Sequence, residues 1–143
     1  MRKQFSPELF EKYDSVARLA TKEFIEGQGW DVVQHPDKYA QDLIATKDGV
    51  EVLVECEVKT LWKGGAFPFG TIQLPERKKK FFHPNAVFFI WSKDLSDAIY
   101  FWAKDIDHLD PVPVSNKYIE SGERFFQIPI ELTKRVSDAT IRD

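Results

Sequence analysis

The sequence predicts a mixed α/β (α+β) fold in which helices pack on a central mixed β-sheet. Three stretches carry that expectation. Apolar residues recur at helical spacing from Pro7 to Glu26, apolar and polar residues alternate without a break from Val50 to Thr60, and Ala86 to Trp91 is a near-continuous apolar run. These are the patterns of an amphipathic helix, a strand with two different faces, and a central strand buried on both faces.

With 143 residues, 43% hydrophobic and 14% aromatic, the chain has the size of one globular domain able to bury a real core, and a single domain over residues 1–143 is expected. Its one cysteine, Cys56, excludes an internal disulfide and a cysteine-based zinc site, and its place in the valine alternation makes it a small core residue. No run is long enough to cross a bilayer, and Met1-Arg2-Lys3-Gln4-Phe5-Ser6 lacks the apolar core of a secretory signal, so a cytoplasmic protein is expected. The formal net charge of -3 argues against a generic nucleic-acid coat, although a site built from carboxylates can hide a local basic surface in the total.

Ser6-Pro7-Glu8 opens the first helix with a hydroxyl at the N-cap, proline at the first helical position and an acid at the positive end of the dipole. Leu9, Tyr13, Val16, Ala17, Ala20 and Phe24 continue it, and Gly27 and Gly29 end it. Glu23 falls at the border of this stripe, where it can reach inward, while Glu26 turns toward water. Trp30 to His35 is a short strand stopped by Pro36, and Asp42 to Thr46 is the next. Lys47-Asp48-Gly49 then leads into Val50 to Thr60 through an Asp-Gly pair, the strongest short-range hairpin signal. If that turn has two residues, Lys47 faces Val50 and Asp42 faces Glu55. Val50, Val52, Val54, Cys56 and Val58 form one face, joined by Leu43 and Ala45. The other face gathers Asp42, Glu55, Glu57 and Lys59.

Leu61 to Gly70 is a glycine-rich, aromatic, exposed loop. Thr71 to Leu74 is a brief extended piece, and Pro75-Glu76 opens a short helix through Arg77-Lys78-Lys79-Lys80-Phe81-Phe82. After the central strand, Asp97 to Ala103 is its neighbour, Lys104 to Leu109 a helical turn, and Asp110 to Gly122 a long loop. Tyr100 and Trp102, alternating with Ile99 and Phe101, are core or interface. Arg124 to Ile128 is a last strand and Pro129 to Val136 a closing helix. His35, His83 and His108 lie on unrelated elements and form no metal set.

An aspartate entering one strand, with Glu-x-Lys on its hairpin partner, suits metal-assisted phosphodiester hydrolysis. Two carboxylates gather a hard cation such as Mg²⁺, and a lysine on the same face offsets charge in the transition state or holds the attacking water. Asp42, Glu57 and Lys59 are the candidates, with Glu55 a second candidate acid.

In Gln41-Asp42-Leu43-Ile44 followed by Glu57-Val58-Lys59, preceded by a helix carrying Glu23, the chain resembles the PD-(D/E)xK nuclease superfamily, the fold of many restriction, repair and Holliday-junction-cleaving enzymes. The resemblance covers roughly Pro7 to Trp91. It implies a restriction-endonuclease-like core in αβββαβ order, Asp42, Glu57 and the Val58 carbonyl as metal ligands, Lys59 as the catalytic lysine, Glu23 as a further metal contact, and Gln73 as the glutamine that follows the lysine. The pattern differs at Gln41, which stands where proline is usual; the literal Pro36-Asp37 pair lies in a loop and is a decoy. The implied activity is a Mg²⁺-dependent DNA endonuclease, with Mn²⁺ as substitute, selecting DNA by structure. Junction cleavage needs two sites and therefore a homodimer.

Blander readings stand beside these. A solvated sheet face with a cross-strand ion pair explains any one of Asp42, Glu57 and Lys59, but not their arrival in this order. Arg77-Lys78-Lys79-Lys80 is either a solvated helix face or a phosphate-contacting strip, supported in the second case by Lys63 and by Trp62, Phe67 and Phe69 as stacking residues. Two further functions fit the residues: a nucleic-acid-binding or assembly module that keeps the fold without turnover, and a nuclease directed at RNA.

Overall fold

The amphipathic period at the start of the chain folds as helix α1 (Pro7–Glu26), whose fully buried positions are Ala17, Thr21 and Ile25. The structure, a computed structural model, describes residues 7–37, 40–113 and 123–136; the N-cap expected at Ser6 and most of the loop expected before Gly122 lie outside the described residues. Residues four apart stand above one another on a helix, so the three form one ridge against the sheet. Thr21 is its polar member. Its hydroxyl donates to the Ala17 carbonyl at 2.6 Å and accepts from the Trp91 indole N–H at 2.8 Å, so neither buried polar group is left unpaired. Gly29, at φ +90°, takes the chain out of the helix through a conformation that side chains resist.

Strands β1 (Asp31–Gln34), β2 (Leu43–Lys47) and β3 (Val50–Lys59) form an antiparallel meander. The chain then leaves this sheet through β4 (Thr71–Pro75) and a 3₁₀ turn at Glu76–Phe81, and returns as β5 (Ala86–Ser92), parallel to β3. Strand β6 (Ala98–Trp102) follows, then the short β7 (Val112–Pro113), β8 (Arg124–Pro129) and β9 (Lys134–Arg135). The result is a six-stranded mixed sheet in the order β1-β2-β3-β5-β6-β9, and a three-stranded sheet in the order β4-β8-β7. The predicted fold class therefore stands.

Two cores lie on the two faces of the large sheet. Between it and α1 are Ala17, Ile25, Trp30, Val52, Val54, Cys56, Val87, Phe89 and Trp91. Between the two sheets are Trp62, Ile72, Leu74, Phe88, Ile90, Phe101, Phe126 and Ile128. Strand β5 sends Val87, Phe89 and Trp91 to the first and Ala86, Phe88 and Ile90 to the second, which is why its sequence reads as unbroken apolar. Strand β6 divides in the same way, with Tyr100 and Trp102 on one side and Ile99 and Phe101 on the other, so all four are core.

Two expected helices take other forms. Arg77 to Phe82 closes as the 3₁₀ turn Glu76–Phe81, in which Phe81 is the buried anchor. Six residues are too few to sustain an α-helix without an apolar stripe. The closing helix from Pro129 to Val136 is absent. A 3₁₀ turn at Ile130–Leu132 is followed by β9, which pairs with Ile99 and Tyr100 on β6 while Arg135 reaches Asp97 at 2.7 Å. Capping the open edge of β6 with backbone bonds outweighs two turns of helix, which are marginal alone.

At the β2–β3 turn both Asp48 (φ 51°) and Gly49 (φ 81°) are left-handed, as a type I′ hairpin requires. Gly49→Ala is expected to cost about 1–2 kcal/mol in urea unfolding through the left-handed penalty, with Asp48→Asn close to neutral.

Candidate functional site

The β2–β3 ladder runs from Lys47↔Val50 to Leu43↔Val54, so one step further it sets Asp42 across from Glu55, as the two-residue turn predicts. Asp42 lies just before β2, at the rim where the two faces of the sheet meet. Its Oδ2 accepts the Cys56 backbone N–H at 3.0 Å, replacing a ladder bond where β2 ends. Its Oδ1 is 3.8 Å from Arg18 Nη1 on α1, and Arg18 also binds the carboxylate of Asp14. Glu55 is 7% exposed, and its Oε2 is 2.5 Å from Lys78 Nζ on the Glu76–Phe81 turn. Gln41, buried beside Asp42, reaches the Phe81 carbonyl at 3.4 Å and ties that turn to the start of β2.

Glu57 and Lys59 continue along the same face of β3. Lys59 Nζ donates to the Gln73 carbonyl on β4 at 3.0 Å and stands 3.3 Å from Glu57 Oε1. That oxygen is shut off from water and meets the Lys59 ammonium as an ion pair without an aligned hydrogen bond. An ion pair without an aligned hydrogen bond offsets only part of the cost of burying such an oxygen. Glu55, Glu57 and Lys78 line a small recess whose apolar wall is Leu74, Phe88 and Ile90.

Burial raises the pKa of Glu55 to about 8, helped by the neighbouring Asp42 carboxylate and opposed by Lys78. Asp14 is also raised, by burial and then by Asp42, with Arg18 opposing. The Cys56 thiol is pushed up mainly by burial; the residue is a free, buried core cysteine, as its place in the strand predicts.

The predicted residues thus divide. Glu57, Lys59 and Gln73 come together at the β3–β4 junction, Gln73 through its main-chain carbonyl, while Asp42 lies beside Glu55 and Cys56, and Val58 turns its side chain to the helix-side core. Glu23 does not join them. It is exposed, because it lies two residues from both Thr21 and Ile25, about 200° around the helix from the buried ridge. The helix acid at the site is Asp14, seven residues before Thr21 and so about 20° from it. That heptad spacing was the signal available in the sequence. Trp62 is not a stacking residue: it is 1% exposed, packs in the core between the sheets, and donates its indole N–H to the Gly65 carbonyl. The loop it was assigned to is held in place, with Phe67 against Trp62, Phe69 against Phe67, and the Gly65 N–H on Asp97. Lys63, Arg77, Lys79 and Lys80 are exposed, and Lys78 points inward to Glu55.

Among the described residues no three histidine, cysteine or carboxylate groups stand together as a metal cage. Mg²⁺ does not need one, since it is commonly held by one or two carboxylates with water and substrate phosphate filling the remaining positions. The adjoining carboxyl groups of Asp42 and Glu55, with Glu57 two residues along β3, are hard oxygen donors of the kind such a cation takes.

The fold is similar to that of a bacterial homing endonuclease, I-Ssp6803I, with a TM-score of 0.50 over 70% of this chain and 71% of that chain and 15% sequence identity. At this identity the likeness is one of fold. No protein-family model and no curated protein matches the chain.

Two outcomes follow from this geometry. Trp62→Ala is expected to lower unfolding stability by about 3–5 kcal/mol in chemical denaturation, the cost of emptying a core position. Because folding raises the Glu55 pKa from 4.5 to about 8, its contribution favours the folded state most below pH 4.5 and is lost as pH rises through 8. Melts in chelator should therefore show metal-free stability falling between these pH values, by on the order of a few kcal/mol, with Glu55→Gln flattening the slope.

Proposed function

We propose that this protein is a metal-dependent DNA endonuclease that hydrolyses phosphodiester bonds, with Mg²⁺ as its cation and Mn²⁺ as a substitute. The observation that carries this reading is the placing of Asp42 across from Glu55 at the end of one hairpin, with Lys78 against Glu55 and with Glu57 and Lys59 following on the same strand. The likeness in fold to a homing endonuclease supports it, as does the resemblance of Asp42 and Glu57-Val58-Lys59 to the PD-(D/E)xK nucleases.

Asp42 and Glu57 would hold the cation, with the Val58 carbonyl, and Glu55 beside Asp42. When bound, a divalent cation supplies positive charge against the scissile phosphate and acidifies its water. The chain's own residues do the rest. The Cys56 N–H and Arg18 aim Asp42, the Gln73 carbonyl fixes the Lys59 ammonium beside Glu57, and Leu74, Phe88 and Ile90 limit water behind the carboxylates. The exposed Lys63, Arg77, Lys79 and Lys80 offer cations to the DNA backbone, which fix position rather than sequence. Branched or junction DNA, cut by a homodimer, is the substrate class we assign.

A specific observation also favours a binding module without turnover: Lys78 and Arg18 already balance Glu55 and Asp42 in the folded chain. Calorimetry separates the two, because the module binds DNA in chelator and takes up no Mn²⁺ through Asp42 and Glu57.

The direct test incubates purified protein with supercoiled, linear and branched DNA in Mg²⁺ or Mn²⁺. Cutting is expected on at least the branched substrate, abolished by chelator and reduced by more than about 100-fold in Asp42→Asn and Glu57→Gln, since even residues that merely support ligands cost 10–100-fold. No cutting on any substrate, or cutting that survives both substitutions, would sink the assignment.

A further inference from the structure

The two lysines at the site serve different carboxylates. Lys59 Nζ is bound to the Gln73 carbonyl and lies beside Glu57, so it fastens β3 to β4 across the junction of the two sheets. Lys78 Nζ lies 2.5 Å from Glu55 Oε2 and 5.4 Å from the centre of the Phe81 ring. Its charge also acts on Asp14, so a single ammonium serves the acidic group formed by Asp14, Asp42 and Glu55 from the side opposite Arg18.

We propose that Lys78 is a built-in counter-ion: it holds Glu55 beside Asp42 before the divalent cation arrives and is displaced from Glu55 when that cation binds. The proposal rests on the metal-dependent reading above. The ammonium at 2.5 Å fills an acceptor position of Glu55 Oε2, and its positive charge opposes a divalent ion at the same place. As carboxylates Asp42 and Glu55 repel across the hairpin, and Lys78 offsets that repulsion. Lys78 is suited to leaving. It stands on a flexible stem in a turn anchored by Phe81, between the exposed Arg77 and Lys79, and a released ammonium joins that basic strip. Lys59 is not suited, because the Gln73 carbonyl holds it. Lys78 is thus a positioning residue acting through Glu55.

The test is Mn²⁺ calorimetry without DNA on metal-free wild type, Lys78→Met, Lys78→Arg and Asp42→Asn. Lys78→Met is expected to bind Mn²⁺ at least about tenfold more tightly than wild type, Lys78→Arg like wild type, and Asp42→Asn not at all. Equal or weaker binding by Lys78→Met, or equal tightening by Lys78→Arg, overturns the proposal. If wild type itself shows no Asp42-dependent binding, the metal-dependent reading fails and takes the proposal with it. Wild-type protein provides a second measurement that does not depend on a variant folding: acetylation of Lys78 by an amine-reactive reagent, read by mass spectrometry against the exposed Lys93. Adding Mg²⁺ should speed modification of Lys78 severalfold, and an unchanged or slower rate overturns the proposal.

Discussion

The register of the β2–β3 hairpin is the constraint on which the site depends. Asp48 and Gly49 both adopt left-handed backbone angles, so the turn holds two residues and Lys47 pairs with Val50. Side chains alternate along a strand, so a slip of one residue would turn Glu55, Glu57 and Lys59 into the helix-side core and send Val54, Cys56 and Val58 to the other face. The hydrophobic cost of that exchange locks the register as firmly as the turn does. Asp42 completes the arrangement from outside the ladder, by accepting the Cys56 N–H that β2 no longer covers.

The carboxylates of β3 lie on the face of the large sheet turned toward the small one, and this explains the electrostatics of Glu55. Glu55 stands between Phe88 and Leu74 on a face that the small sheet covers, so its charge is desolvated far more than a strand on an open sheet would allow. Compensation comes from three directions. Arg18 arrives from α1, Lys78 from the 3₁₀ turn, and Lys59 from β3 itself, held by β4. Gln41 binds the end of that turn to the start of β2, so the elements carrying Asp42 and Lys78 are fixed to each other. A half-satisfied polar group in such a place is expensive, and Glu57 Oε1, which meets Lys59 as an ion pair without an aligned hydrogen bond, is one.

Residues of similar type have different fates for reasons of packing. In the run Arg77 to Lys80, Lys78 turns inward to Glu55 while Arg77, Lys79 and Lys80 stay in water, a division that one 3₁₀ turn over a buried Phe81 imposes. In the aromatic loop, Trp62 fills the space between the sheets, and its neighbours become a ladder of rings ending at the exposed Phe69. Glycine-rich composition suggested exposure there. That holds for Leu61, Lys63 to Ala66 and Pro68 to Gly70, while the indole of Trp62 beside the strand end is buried.

Periodicity and turn chemistry are local, and whatever depends on them was determined by the sequence alone: α1, the hairpin and its register, the doubly buried β5, and the shared face of Glu55, Glu57 and Lys59. Contacts between distant segments belong to the tertiary structure. The heptad spacing of Asp14 from Thr21 was legible, but only the seating of the ridge Ala17-Thr21-Ile25 on the sheet brought Asp14 rather than Glu23 to Asp42. The second sheet, built from β4, β7 and β8, was invisible for the same reason, as was the replacement of the closing helix by β9 on the open edge of β6. The union of Glu55 with Lys78, 23 residues apart in sequence, was decided only when that second sheet folded over β3 and shut the carboxylate away from water.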